Sequence, residues 1–236
     1  MPSQLLDTLG PAPVTDSGLK DYRDRDLAAA RFPGLELSEA DFSYAVLDEA
    51  DWPDAVLESV IFYQTSLDQM NLVRGRLSRV NLAEASMERS CLAGARLSDS
   101  TKLWYTVLRA ADLSGAHLVE MVTINNSDLS AATCANLHVN VALVSQSSFA
   151  EAQLPDADLE AFELKECDFT EAKLPNAKLR KGTIEDCDFS GADLRGTVWE
   201  TIRGTSSCRF DGALIEGATM PRRLMSHALA TGAVRS

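Results

Sequence analysis

From Leu27 onward every fifth residue is large and apolar, running through Phe32, Leu37, Phe42, Leu47, Trp52, Leu57 and Phe62 and on by fives to Leu97. Two residues before each stands a mostly small one, including Ala40, Ala45, Ala50, Ala55, Thr65, Gly75, Ala85 and Ala95; Arg25, Leu35 and Met70 depart from the rule. The unit reads A-(D/N)-L-x-x. Neither a helix, with 3.6 residues per turn, nor a strand, with a period of two, sustains such a repeat. Residues two apart on a short extended segment point the same way, so the small and the large residue both face inward while the other three meet solvent. Each pentapeptide is predicted to form one side of a coil.

The register slips by one residue near Lys102, resumes at Leu103, Leu108, Leu113 and Leu118, and slips again before Ile124 and Leu129. These slips have the form of single-residue bulges. The stretch through Cys134, Val139 and Val144 is weakly patterned. From Phe149 the rule returns and holds to Trp199, and one more inserted residue leads to Phe210, Ile215 and Met220. Phe149, Phe169 and Phe189 recur at twenty residues, Phe210 follows at twenty-one, and Cys167, Cys187 and Cys208 keep the same spacing. Four pentapeptides therefore make one turn, and these residues are predicted to stack as internal ladders.

The fold class that follows is all-β: a right-handed quadrilateral parallel β-helix of about ten coils, with backbones about 4.8 Å apart and a length of about 50 Å. Open ends of such a column offer unpaired backbone groups and need caps. Residues 1–19, with Gly10, Pro11, Pro13 and Gly18, fit no repeat and are expected to form an arm or cap, with a helical turn at Gln4 to Leu9. Residues 20–220 form the solenoid. Residues 221–236 are expected to form a capping and dimerising helix, begun by Pro221, stopped by Gly232, and bearing Leu224, Met225, Ala228 and Leu229 on one face.

Composition narrows the function classes. With 45% hydrophobic and 24% charged residues the chain suits a folded soluble protein. No apolar run is long enough to span a bilayer, and Met1 to Asp7 lacks the basic start of a secretory signal, so the cytoplasm is the expected compartment. Five scattered cysteines without a CxxC pair read as free thiols, and the three in one ladder occupy the small inward position. His117, His138 and His227 have no metal-ligand spacing and no neighbouring nucleophile motif, so neither a catalytic site nor a cofactor is expected. A formal charge of −13 disfavours direct binding of nucleic acid or acidic membrane and favours basic protein surfaces.

The segments Ala40-Asp41-Phe42-Ser43, Ala111-Asp112-Leu113-Ser114-Gly115-Ala116 and Ser190-Gly191-Ala192-Asp193-Leu194-Arg195-Gly196 resemble the pentapeptide-repeat family. The ending Gly212 to Met220 followed by Arg223-Leu224-Met225 is similar to the last repeats and dimerising helix of its Qnr and MfpA branch. That branch comprises quinolone-resistance and topoisomerase-poison immunity proteins. The resemblance implies a dimeric, DNA-mimicking rod that binds DNA gyrase or another type II topoisomerase, although the extended loop insertions of many Qnr proteins are absent here.

Charge placement fits such a role in part. Phe32 to Val73 holds nine acidic residues and no Lys or Arg, and Ala110 to Leu164 holds eight and again none. Glu36, Asp41, Asp48, Asp51, Asp54 and Glu58 are the candidate partner-binding residues. Two basic belts, one from Arg74 to Arg96 and one from Lys165 to Lys181, interrupt the acidic stretches. Duplex DNA carries about one charge per 1.7 Å, a density that only the acidic stretches approach. Acidic runs on a solenoid also serve simply as a solvated face. The alternative function is a rigid scaffold or adaptor, for instance accompanying a secreted effector. The histidine-dependent hexapeptide acyltransferase solenoids have a period of six and do not match.

Overall fold

The structure is a computed structural model that describes residues 14, 15 and 18–235. Of the arm or cap expected over residues 1–19, the helical turn at Gln4 to Leu9 lies outside the described residues, and Val14 pairs antiparallel with Lys20. From Lys20 the chain winds into a parallel β-solenoid of about 9 turns. Its strands are β1 (Lys20–Asp21), β2 (Glu36–Asp41), β3 (Val56–Ile61), β4 (Arg76–Ser78), β5 (Arg96–Ser98), β6 (Lys102–Trp104), β7 (His117–Asn125), β8 (His138–Ser145), β9 (Asp158–Lys165), β10 (Lys178–Arg180), β11 (Thr183–Glu185) and β12 (Val198–Glu200). All of these pair in parallel with the coils above and below.

The register confirms four sides per turn. Leu57 pairs with Leu37 and Leu77, twenty residues away on either side. Isolated bridges such as Val46 with Ser66, Asp51 with Asn71 and Ile61 with Asn81 keep the same step on the other sides. We number the sides by their inward residues: Leu27, Leu47 and Leu67 begin the first, Phe32, Trp52 and Leu72 the second, Leu37, Leu57 and Leu77 the third, and Phe42, Phe62 and Leu82 the fourth. The first side carries ten stacked levels, from Leu27 to Phe210, which are separated by nine turns. Those ten levels agree with the about ten coils expected from the sequence, the last of them lacking a regular third and fourth side.

Packing follows the five-residue rule. The inward pair is buried from Ala40 and Phe42 to Ala213 and Ile215, except at the last fourth-side level, where Ile202 is half-buried and Gly204 exposed. Leu35 and Met70, large residues at the small position, are buried as well. The predicted phenylalanine ladder is present: Phe149, Phe169, Phe189 and Phe210 stack with ring centroids 4.9, 5.0 and 5.3 Å apart. A second ladder, Tyr22, Phe42 and Phe62, runs up the fourth side at 4.7 and 5.4 Å. Where Cys134, Val139 and Val144 stand the coil stays regular, but the smaller side chains leave an enclosed apolar void of about 40 Å³.

Corner chemistry explains the rest of the unit. On the first and second sides and the lower fourth side the amide three residues after the inward residue closes onto its carbonyl, as from Ala30 to Leu27 and from Ala45 to Phe42, both 3.0 Å, whereas the Val80 and Thr106 amides bond the Thr101 and Ser127 hydroxyls of the next coil. The residue before that amide is left-handed almost every time, from Ala29 (φ 55°) and Glu49 (φ 60°) to Asn176 (φ 59°). Pro33, Pro53, Pro155 and Pro175 open four such corners on the second side, at the position whose fixed φ suits a type II turn. The Asp or Asn before the inward residue accepts the amide two residues on: Asp112 from Ser114, Asp128 from Ser130, Asp168 from Thr170 and Asp188 from Ser190, at 2.8–2.9 Å. Part of the acidity of this chain is therefore turn chemistry.

The three slips are corner insertions. Asp99 and Ser100 (φ 53° and 65°) and Glu120 and Met121 (φ 61° and 69°) stack at one corner of successive coils, where the Ser100 amide bonds the Glu120 carbonyl at 3.0 Å. The third slip is Gly204 (φ 77°) leading into a short 3-10 turn, Thr205–Ser207. Helix α1 (Arg222–Ala230) then crosses the end of the column and buries Leu224 and Ala228. Beyond it Gly232 (φ 102°) turns the chain back so that Val234 pairs with Leu214, adding one more rung. No helix among the described residues is long and apolar enough to cross a membrane.

Candidate binding surface

Because two of every five side chains point inward, a surface on this column is built from the remaining three, repeated every 20 or 21 residues. The six sequence-predicted binding residues consequently do not share one face. Asp48 is on the first side, Asp51 and Asp54 on the second, Glu36 and Glu58 on the third and Asp41 on the fourth. Most are also engaged within the chain. Asp41 accepts the Ser43 amide at 2.9 Å and its hydroxyl at 2.5 Å, Asp48 accepts the Ser66 hydroxyl at 2.6 Å and the Asp68 amide at 3.0 Å, and Asp51 accepts the Asn71 amide group at 2.7 Å. Arg74 bonds both oxygens of Asp54 at 2.7 Å and holds that carboxyl below its usual range, while Arg79 pairs with Glu58. Glu36 is exposed beside Glu58 and Lys20 on a shallow groove.

The basic belts are likewise part of the column. Arg96 pairs with Glu120 at 2.9 Å, Arg180 with Asp158 at 2.6 Å and Lys181 with Glu160 at 2.7 Å, in each case between coils. Exposed pairs of this kind contribute about 0–1 kcal/mol each, so their main effect is to cancel charge on the third side and at its corners.

What the linear reading missed is the first side. There Asp26, Asp48 and Glu49, Asp68, Glu88, Asp128, Glu151, Asp168, Glu171, Asp188 and Asp211 recur, with a gap at the Leu108 coil, against Arg25, Arg89, Arg109 and Arg209. Arg109 bridges Glu88 at 2.5 Å and Asp128 at 3.9 Å, and Arg209 pairs with Asp188 at 3.2 Å. The signal was available: the 20-residue step that aligned the phenylalanines also aligns Asp48 with Asp68 and Asp168 with Asp188.

The other candidate chemistry is structural. Cys167 and Cys208 aim at the carbonyls of Val144 and Ile184, 3.6 and 3.9 Å away. Thr65, Thr106 and Ser127, lower on the same ladder, bond equivalent carbonyls at 2.8–2.9 Å. Contact with Cys167 and Cys208, together with burial, pushes the Cys187 thiol up, and burial pushes Cys134 up to about 12. His117 and His138 meet one coil apart, centroids 5.3 Å, since an insertion makes their spacing a full turn; burial, with His138 and Arg96 nearby, holds His117 below its usual value. His227 reaches the Cys208 carbonyl at 2.7 Å. Among the described residues no group of three or more His, Cys, Asp or Glu could hold a metal ion. Of the four expected dimer residues, Leu224 and Ala228 are spent within the chain, Met225 is half-buried and Leu229 is 43% exposed.

Comparison with known proteins agrees with this architecture. The family profile for pentapeptide repeats matches in eight copies, over residues 36–69, 61–99 and 147–191. The chain thus carries pentapeptide repeats over these segments. No curated protein matches it in sequence. Among solved structures it is similar to HetL, a pentapeptide repeat protein involved in heterocyst differentiation regulation in the cyanobacterium Nostoc sp. strain PCC 7120, with 21% identity, 84% of this chain and 92% of that one covered, and a TM-score of 0.40. It is also similar to a trypsin-treated form of QnrB1, a plasmid-mediated fluoroquinolone resistance protein, with 15% identity, coverage of 87% and 91%, and a TM-score of 0.43. A third, from the Arabidopsis thaliana thylakoid lumen, has 22% identity, coverage of 46% and 77%, and a TM-score of 0.27.

Proposed function

We propose that this protein works without catalysis, as a stiff acidic rod whose first side enters a basic groove that otherwise holds duplex DNA. The partner fitting that chemistry and the sequence resemblance is a type II topoisomerase, DNA gyrase, in the cytoplasm. Occupying its DNA-binding saddle inhibits the enzyme or shields it from poisons, which gives resistance or self-immunity. The observation that supports this reading is the first-side row of carboxylates, repeated at coil spacing with few cations beside it. A homodimer would rest on Met225 and Leu229 at the helix-capped end, since Leu224 and Ala228 are already covered. The test is a gyrase supercoiling assay with micromolar protein over a salt series, with added linear duplex as competitor. Inhibition that weakens as salt rises and as competitor is added supports the reading, because exposed charges are screened over about 10 Å at 0.1 M salt. Supercoiling indifferent to the protein at every salt concentration removes it.

A second reading, a protein scaffold, is favoured by one observation. Tyr44, Trp104 and Tyr105 stand exposed on the fourth side, where a solvated face has no need of aromatic rings.

A further inference from the structure

The outermost corner position of the fourth side reads, coil by coil, Asp24, Tyr44, Gln64, Glu84 and Tyr105. Tyr44 and Tyr105 are 52% and 60% exposed, and Asp24 and Glu84 also face solvent. Tyr63 fills the gap beside this column: its ring meets Tyr44 edge-on at 5.8 Å and its hydroxyl donates to Glu84 at 3.1 Å. Gln64 donates to the other oxygen of Glu84 at 2.5 Å. These bonds fix the carboxylate one coil step from Tyr105, with Gln64 between it and Tyr44, and leave its outer lone pairs open, since a carboxylate accepts about four hydrogen bonds. Of the cations at hand, Arg23 is engaged by both oxygens of Asp21 and Lys102 lies over the Trp104 ring at 4.9 Å, while Arg25 follows Asp24 in the chain.

We propose that this column docks an extended, arginine-bearing segment of a partner protein, one guanidinium at Glu84 beside Tyr105 and a second at Asp24 beside Tyr44. Arginine suits the site better than lysine because a planar fork stacks on an aromatic ring while bonding a carboxylate in its plane. The spacing follows from the column. Glu84 and Asp24 lie three coil steps apart, about 14 Å at about 4.8 Å per step, which an extended chain covers in about four residues. Residues four apart on an extended segment share a face, so the recognised pattern is Arg-x-x-x-Arg. On this side from Lys20 to Tyr105 the acidic residues are Asp21, Asp24, Asp41 and Glu84 and the cations Lys20, Arg23 and Lys102.

The probe is a capped peptide containing Arg-Ser-Thr-Ser-Arg, compared by calorimetry near physiological salt with one of the same composition whose arginines are adjacent, and with a lysine version. The spaced arginine peptide should bind tightest. Tyr44→Leu with Tyr105→Leu, which changes no charge and lies on the surface, should weaken it about 5- to 30-fold, from about 0.5–1 kcal/mol per exposed cation–π contact. Glu84→Gln, which keeps an acceptor for the Tyr63 hydroxyl and presents an amide donor to the Gln64 side-chain oxygen once that amide turns over, should abolish the preference for arginine. Equal binding of the two arginine peptides, or an unchanged affinity in the double leucine variant, overturns the proposal. The site is separate from the first side: Asp48→Asn with Asp68→Asn should leave the ranking of the peptides intact even if every effect on gyrase is lost.

Discussion

Replacing Gly182 by alanine probes the inward packing rule at its tightest point. Phe162 occupies a small position on the fourth side, and Gly182, one coil on, leaves room for its ring. A Cβ on Gly182 would stand 2.4, 2.6 and 2.7 Å from ring carbons of Phe162. Its backbone is not left-handed, so alanine gains about 0.4–1 kcal/mol through the unfolded chain. Overpacking costs about 1–3 kcal/mol, which exceeds that gain, and Gly182→Ala should be destabilising by about 1–2 kcal/mol. Phe162→Ala alone should cost about 3–5 kcal/mol. In the double variant the new methyl enters the space the ring has left, so the two costs should fall short of adding by about 1–3 kcal/mol. Urea unfolding followed by both circular dichroism and tryptophan fluorescence measures the cycle and tests whether the column melts as one unit. A neutral or stabilising Gly182→Ala, or a strictly additive double variant, would refute the reasoning.

Other outcomes follow from the same structure. In the folded protein an alkylating reagent should modify Cys91 first, because Cys134 and Cys187 are buried with raised thiol pKa values; early labelling of Cys187 would contradict this. Stability should fall on acidification in two stages, read as Tm against pH. Below about 6.5, the ordinary histidine value, the depressed His117 opposes folding as protons bind the unfolded chain. Below about 4, the ordinary carboxylate range, Asp54, Asp99, Glu160 and Asp193 lose the stabilisation their lowered values confer, with Asp21 following toward about 2. Val139→Leu, which adds a methylene beside the enclosed void, should raise stability by about 0.5–2 kcal/mol in denaturant titration; a loss would show that the void cannot accept the longer side chain.

The period of five was enough to read the architecture, since inward Leu and Phe at that spacing leave no other regular winding. The ladder of Phe149 to Phe210 and all three slips were legible for the same reason. The corners were less so. Residues such as Glu49, Asp54 and Arg89 hold left-handed backbone that sequence reasoning normally assigns to glycine, and they are kept there by the ladder bonds on either side. The candidate binding residues were chosen along the chain, where Asp48, Asp51, Asp54 and Glu58 are neighbours, whereas the coil carries them to three different sides. The pairing of His117 with His138 was hidden because an insertion stretches that turn to twenty-one residues. The apolar face of α1 was visible, but the return of Val234 onto Leu214, which turns a helix into a lid, depends on contacts that no local pattern encodes.

The most direct test of the account compares two sets of charge-removing variants in the gyrase supercoiling assay. One neutralises the first side, with Asp48→Asn, Glu49→Gln, Asp68→Asn and Glu88→Gln, amides that keep the corner acceptors. The other removes as many charges from the second and third sides, with Glu36→Gln, Asp51→Asn, Asp54→Asn and Glu58→Gln. Loss of inhibition and of its salt dependence in the first set alone is the expected result; equal loss in both sets, with both still folded, would contradict the claim that one side of the column does the binding.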